Sequence, residues 1–325
     1  MHSEIKRLHL ELSTGCNAQC PVCSRHISIN YTDYFYNNRI NYKQNLTVED
    51  INNIFSSKNI VDDIRISICG NYGDPFWNED ILKIIYKIFE LKPFAYIIID
   101  TNGSLGKKDT WLHLAEISNN LKVNFSIDGL EDTNHIYRRN VKWKKVMENL
   151  HTFVSNGGNA QWKYIVFEHN KHQVEKARSL AKELGFKSFD VTVESPMLTP
   201  LEYVDKEVNL THDVSTMSVS RKKIDYNISE KHEYKGRVEL PKCIIHKEMY
   251  IGADGNVFPC CHFGCDINDT KQQFRDEINE IVQITSIKKQ SFHSIVNDKQ
   301  WNTLHNSIEN KPIETCILKC GKYTK

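Results

Sequence analysis

The sequence predicts an α/β fold, a parallel sheet with helices outside it, laid out as an open sheet or a barrel-like arc. Three observations lead there. Short β-rich runs alternate with segments of helical spacing, glycines stand where the helices should stop, and the unusual residues cluster where the strands finish.

Six runs read as strands. "RLHLEL" (7–12) alternates with period two, and "DIRISICG" (63–70), "AYIIIDT" (95–101), "KVNFSID" (122–128), "WKYIVFE" (162–168) and "FDVTVE" (189–194) are further short β-rich segments. Between them, "TVEDINNIFSS" opens with Thr47 as N-cap and Asp50 three residues on, close to a capping box. "DILKIIYKIFELK" places Ile81, Ile84, Ile85, Ile88 and Phe89 on one face and ends before Pro93. "WKKVMENLHTFVSNGG" stops at Gly157 and Gly158, and "KHQVEKARSLAKELGF" stops at Gly185, where a left-handed C-cap is easiest for glycine.

Cys16 follows the first strand, "GNYGDP" (70–75) the second and "TNGS" (101–104) the third, while "SIDG" (126–129) closes the fourth. All lie at carboxyl ends, the face on which α/β barrels and sheets assemble their sites.

Composition narrows the function. The 42 Lys and Arg against 41 Asp and Glu leave a net charge near zero, without the electrostatic footprint of a dedicated nucleic-acid binder, so no obligate nucleic-acid partner is expected. The opening "MHSEIKRLHLELS" lacks the apolar segment of an export signal, and no apolar run approaches the length of a membrane span. A cytoplasmic protein with no membrane partner is expected. In a reducing compartment its ten cysteines are candidates for metal or cluster ligation rather than disulfides. Cys16, Cys20 and Cys23 form an early group and Cys243, Cys260, Cys316 and Cys320 a late one; Cys69, Cys261 and Cys265 are left over.

Cys16-x3-Cys20-x2-Cys23, on a loop after the first strand, resembles the signature of the radical S-adenosylmethionine (radical SAM) superfamily. The resemblance implies a partial (β/α)6 TIM-like barrel and a [4Fe–4S] cluster on which SAM is cleaved to a 5′-deoxyadenosyl radical. It also implies an electron donor of the flavodoxin or ferredoxin type. Three thiolates can hold three irons and leave the fourth open for SAM. On the residues alone, Cys16, Cys20, Cys23 and His26 could instead supply four tetrahedral ligands to zinc, which would make the chain a metal-stabilised binding module.

The other strand ends extend the resemblance. "NYGDP" is similar to the family's glycine-glycine-glutamate-proline segment, whose backbone receives the SAM amino group, with Tyr72 and Asp74 beside Gly73 in place of the usual residues. Ser126 and Arg138 match positions that hold ribose and carboxylate, with Arg139 as an alternative guanidinium. Asn102 either adds a polar contact or caps a turn. Val22, Val166 and Phe167 either pack on adenine or belong to the core.

At the carboxyl end, "YIGADGNVFPCC" reads as a β-hairpin turning at Asp254-Gly255. With Cys243, Cys260, Cys316 and Cys320 it resembles the SPASM or Twitch extension, a small β-hairpin plus helix domain holding an auxiliary [4Fe–4S] cluster. Those four cysteines are the implied ligands, with Cys261 and Cys265 as alternatives to Cys260. The resemblance divides the chain into a core (1–205), a Lys-rich polar connector (206–240) and the auxiliary domain (241–325). The Asn- and Tyr-rich segment 26–47 reads either as a substrate-facing lid or as a surface insertion.

What such an enzyme does with its radical is less legible. Relatives with one auxiliary cluster often carry out two-electron oxidations, such as dehydrogenation of an alcohol in a sugar or aminocyclitol, for which Glu194 and His169 are the bases best placed by chain position. The alternative is cross-linking or epimerisation of a ribosomal peptide. Epimerisation needs a thiol to return a hydrogen atom, and Cys69 is a candidate for that thiol or else a buried, inert one. Against the peptide reading, the first strand begins within about ten residues of Met1, leaving no room for a leader-binding domain.

Overall fold

Leu8, Leu10 and Leu12 recur at every second residue, so they share one face of the first strand, while Arg7, His9 and Glu11 take the other. That division extends across a sheet of eight strands. The computed structural model describes residues 4–21, 23, 44–117, 119–192, 241–264, 285–310 and 316. Strands β1 (Ile5–Leu10), β2 (Ile60–Ile68), β3 (Tyr96–Thr101), β4 (Leu121–Ser126), β5 (Ala160–Ile165) and β6 (Ser188–Thr192) pair in sequence order and all in parallel. The sheet is an unclosed arc, the partial barrel expected.

The helices lie where the apolar periodicity puts them. Helix α1 (Val48–Phe55) starts at a complete capping box, with the Asp50 N–H donating to Thr47 Oγ1 at 3.1 Å and the Thr47 N–H donating to Asp50 Oδ2 at 2.8 Å. Helix α2 (Ile81–Leu91) buries Ile81, Ile84, Ile85 and Ile88. Within the described part of the core two helices were not legible in sequence, α3 (Lys108–Glu116) and the single turn α4 (Asn134–Tyr137). Lys107, at the N-cap of α3, makes no side-chain cap, and the helix is held by fully buried Trp111, stacked on Phe76 at 4.2 Å. Then follow α5 (Trp143–Ser155) and α6 (Val174–Glu183), after which Gly185 takes φ +84°. No helix among the described residues is long and apolar enough to cross a membrane.

Register aligns like with like. Leu10, Ile68, Ile99, Val123 and Ala160 form one apolar row that joins the buried helix faces in a common core. The opposite face is polar: the Lys163 ammonium reaches Asp100 Oδ1 at 2.5 Å, and Asn124 Nδ2 donates to the same oxygen at 3.0 Å.

The carboxyl-terminal hairpin completes this sheet. Beyond α7 (Lys242–His246), β7 (Glu248–Ile251) pairs in parallel with β1, and β8 (Val257–Phe258) returns antiparallel through Gly255 at φ +81°. Helices α8 (Phe292–Asn297) and α9 (Lys299–Asn310) follow. The approach to α8 is docked on α1 by one amide. Asn53 Nδ2 donates to the carbonyls of Ile287 (2.9 Å) and Gln290 (3.3 Å), and its Oδ1 accepts the Phe292 N–H (3.0 Å). Replacing Asn53 with alanine strands these backbone groups. The expected cost is about 1–3 kcal/mol, with earlier proteolytic release of the carboxyl-terminal segment; an unchanged melting temperature and digestion pattern would refute the docking role.

Candidate active site

Two loops that interlock backbone to backbone form the floor of the site. The Asp74 N–H donates to Gly15 O at 2.8 Å, and a Cβ at Gly73 would collide with the carbonyl oxygens of Ser13 and Gly15. A Cβ at Gly15 would strike the Trp77 ring. Glycine is therefore required on both sides of the seam. The buried Asp74 carboxylate accepts from Phe76 N (3.0 Å), Thr101 Oγ1 (2.9 Å) and Asn102 N (2.8 Å), tying the end of β2 to the end of β3. Burial raises its pKa, and these hydrogen bonds oppose the rise.

Over this floor lie the early thiols. Cys20 is buried, and Cys16 and Cys23 are half-buried. Burial pushes Cys16 and Cys20 up to about 12; Asp74 adds to the rise at Cys16, while Arg138 opposes it at Cys20. Metal coordination would remove these protons. Donors already face the sulfurs: Ala18 N (3.3 Å) and Asn102 Nδ2 (3.8 Å) at Cys16, and Arg138 Nη1 (3.9 Å) at Cys20. Such donors suit cluster ligation. Among the described residues no three His, Cys, Asp or Glu side chains converge as single-ion ligands would, whereas a cubane takes its thiolates at separate corners.

Asn102 is buried in a polar brace. Its Nδ2 donates to Asn17 Oδ1 (3.0 Å) and its Oδ1 accepts from Ser104 Oγ (2.6 Å), while Asn17 Nδ2 donates to that hydroxyl (2.8 Å). The brace fastens the cysteine loop to the end of β3.

Arg138, following α4, pairs through Nε with buried Asp128 Oδ2 at 2.6 Å. Burial works against its charge, but Asp128 and the Cys20 sulfur outweigh that and raise its pKa above the ordinary range. Arg139 holds the cysteine loop through its carbonyl, which accepts the Gln19 N–H at 3.0 Å; its Nη2 is buried without a hydrogen-bond partner among the described residues. A carboxylate is the partner such an atom lacks. Ser126 ends β4 half-exposed beside Lys163 in register, and Val166 is half-buried past β5, its N–H donating to Thr192 O at 2.9 Å. Phe167 is buried between Tyr137 (4.5 Å) and His169 (5.4 Å, stacked).

In the auxiliary region Cys243 and Cys316 are buried and Cys260 half-buried; burial, then Cys243 and Cys261, push the Cys260 thiol well up. Its neighbour Cys261 is half-buried, and its carbonyl accepts Asn71 Nδ2 from the turn after β2 at 3.2 Å. Cys69 is half-buried on the polar sheet face, 3.0 Å from His9 Nε2. Val22, His26, Glu194, Cys265, Cys320, segment 26–43 and the 206–240 connector lie outside the described residues. Glu11, Asn17, Ser104 and Asp128 were missed in sequence, where each reads as an ordinary polar residue of a strand or turn.

The comparisons fit this geometry. The radical SAM superfamily model matches residues 10–181, and an iron–sulfur cluster-binding domain model, SPASM, matches 243–321. No curated protein matches. Among solved structures, Streptococcus suis SuiB bound to S-adenosylmethionine superposes with a TM-score of 0.58 at 17% identity, over 93% of this chain and 68% of that one. Native anSMEcpe with bound AdoMet gives 0.55 at 17%, over 94% and 82%. At these identities the likeness is one of fold.

His169 offers a measurable pH dependence. Burial, aided by His135 and His172, pulls it from 6.5 down to about 4. The fold accepts the neutral ring, so the unfolded chain binds the extra proton between those values, and stability falls as pH drops through the window. His169→Phe, which can keep the stack on Phe167, should lose less melting temperature between pH 6.5 and pH 4 than the parent does; parallel profiles would refute this.

Proposed function

Because the chain belongs to the radical SAM superfamily and ends in an iron–sulfur cluster-binding domain, we propose that it oxidises a polar small molecule, a sugar or an aminocyclitol, by two electrons. When bound, SAM and its [4Fe–4S] cluster supply a 5′-deoxyadenosyl radical that abstracts a substrate hydrogen atom, and the auxiliary cluster supplies an electron acceptor. Cys16, Cys20 and Cys23 are the proposed ligands of the first cluster, and Cys243, Cys260, Cys316 and Cys320 those of the second. The 72–74 turn, Ser126 and the guanidinium of Arg138 or Arg139 hold SAM, and Val166 borders its adenine. A flavodoxin- or ferredoxin-type protein provides the reducing electron.

The observation that supports a polar substrate is the open sheet face. Lys163 and Asp100 pair there with side chains 42% and 23% exposed, within reach of a ligand. Beside them Lys122 Nζ donates to Gln161 Oε1 at 2.6 Å, and Gln161 Nε2 donates to Asp190. Neighbouring hydroxyls can donate to such carboxylates and accept from such ammonium groups, whereas an apolar side chain would strip them of water without return. Glu194 and His169 are the proposed proton acceptors, and the burial that lowers the His169 pKa keeps its ring neutral and able to accept a proton.

Anaerobically reconstituted protein should hold about eight irons per chain and, once reduced, release 5′-deoxyadenosine from SAM. Changing Cys16, Cys20 and Cys23 together to alanine should abolish that release and leave the auxiliary cluster loaded. With pooled deuterated polyols, deuterium should enter 5′-deoxyadenosine and the product should lack two hydrogens. A product of unchanged composition in which one deuterium has been replaced by solvent hydrogen would replace this reading with a redox-neutral one, in which the Cys69 thiol on the same face returns the hydrogen atom and the electron donor, with a proton, restores the thiol.

A further inference from the structure

Glu11 follows the last residue of β1 and is fully buried, 1% exposed. Its Oε1 accepts two backbone donors from the turn after β2, the N–H groups of Tyr72 (2.7 Å) and Gly73 (3.3 Å). Its Oε2 accepts the hydroxyl of Tyr250, on β7 of the carboxyl-terminal hairpin, at 2.6 Å. One carboxylate thus joins the strand that leads into the cysteine loop, the 70–74 turn and the auxiliary hairpin. Tyr250 is itself fixed, fully buried with its ring edge-on to His9 at 4.9 Å and opposite His9 in the β1–β7 register.

The consequence for the turn follows from the planar trans peptide. In each such unit the N–H and C=O point in opposite directions, and the described chain has no cis bonds. With the N–H groups of Tyr72 and Gly73 turned towards Glu11, the carbonyls of Asn71 and Tyr72 are turned away from it. Glu11 gathers the donors on one side of the turn and leaves acceptors on the other. Acceptors are what an ammonium group requires.

We propose that Glu11 is a positioning residue for SAM: it sets the 70–74 turn so that its carbonyl oxygens meet the SAM amino group, and through Tyr250 it makes that setting depend on the auxiliary hairpin. The proposal rests on the reading that this turn receives SAM. A substitution in the auxiliary region, far along the chain from the cysteine loop, therefore changes SAM affinity.

The test measures SAM binding to holoprotein carrying both clusters, by calorimetry on the oxidised form and by the change in the electron paramagnetic resonance spectrum of the reduced cluster on adding SAM. Glu11→Ala strands the turn donors and should weaken SAM binding about tenfold or more. Glu11→Gln keeps an oxygen for the turn and offers an amide donor to the Tyr250 oxygen, so it should restore binding to within a few-fold. Tyr250→Phe should fall between the two. The glutamine and phenylalanine variants should keep the parent's iron content and stay folded at the assay temperature, so that a change in SAM affinity in them separates positioning from simple bracing. Parent-like affinity in folded Glu11→Ala overturns the proposal; if that variant does not fold, parent-like affinity in Tyr250→Phe overturns it instead. Absence of any spectral change in the parent counts against the reading of the SAM site itself, an outcome distinct from both.

Discussion

The Asp74 carboxylate is the interaction on which the site depends. It is buried at the junction of two strand ends and accepts the Thr101 hydroxyl and the Asn102 N–H, while its own N–H donates to Gly15 O. The turn after β2, the end of β3 and the loop carrying Cys16 are thus one unit. Removing those acceptors would leave several buried donors without partners, a cost that each side-chain or backbone group pays in full. The glycines at 15 and 73 serve the same junction by letting the backbones approach as closely as the hydrogen bonds require.

A second level of organisation comes from the two unlike faces of the sheet. Apolar rows from successive strands register with one another and fuse with the helices into a core, which leaves the charged rows on the open side. Ion pairs placed there are partly hydrated and contribute little to stability. Their placement suits recognition: Asp100, Lys163, Lys122 and Asp190 come from four different strands, and the parallel pairing sets them side by side on one face.

The carboxyl-terminal hairpin changes how the two parts of the chain relate. Its β7 continues the core sheet beside β1, and Asn53 and Asn59 of the core hold the segment from Ile287 to Asn297. Cys243 and Cys260 are therefore presented from a surface rigidly continuous with the strand that leads to Cys16. Cys261, beside Cys260, ties the same surface to the turn after β2 through its carbonyl, which accepts Asn71 Nδ2.

The sequence by itself determined the six parallel strands, the helices with clear apolar periodicity or caps, the hairpin turn and the grouping of the cysteines, because period, capping chemistry and ligand spacing are local properties. Helix α3 escaped because it lacks a side-chain cap and relies on Trp111 reaching a pocket built elsewhere. Only the tertiary structure decided that β7 pairs with β1, that Asn102 is a brace, and that Glu11, which in "HLELS" looks like one more outward polar residue of an alternating strand, is buried beneath the 70–74 turn. Those outcomes depend on contacts between residues tens to hundreds of positions apart. No periodicity along the chain encodes which distant donors a buried carboxylate will meet.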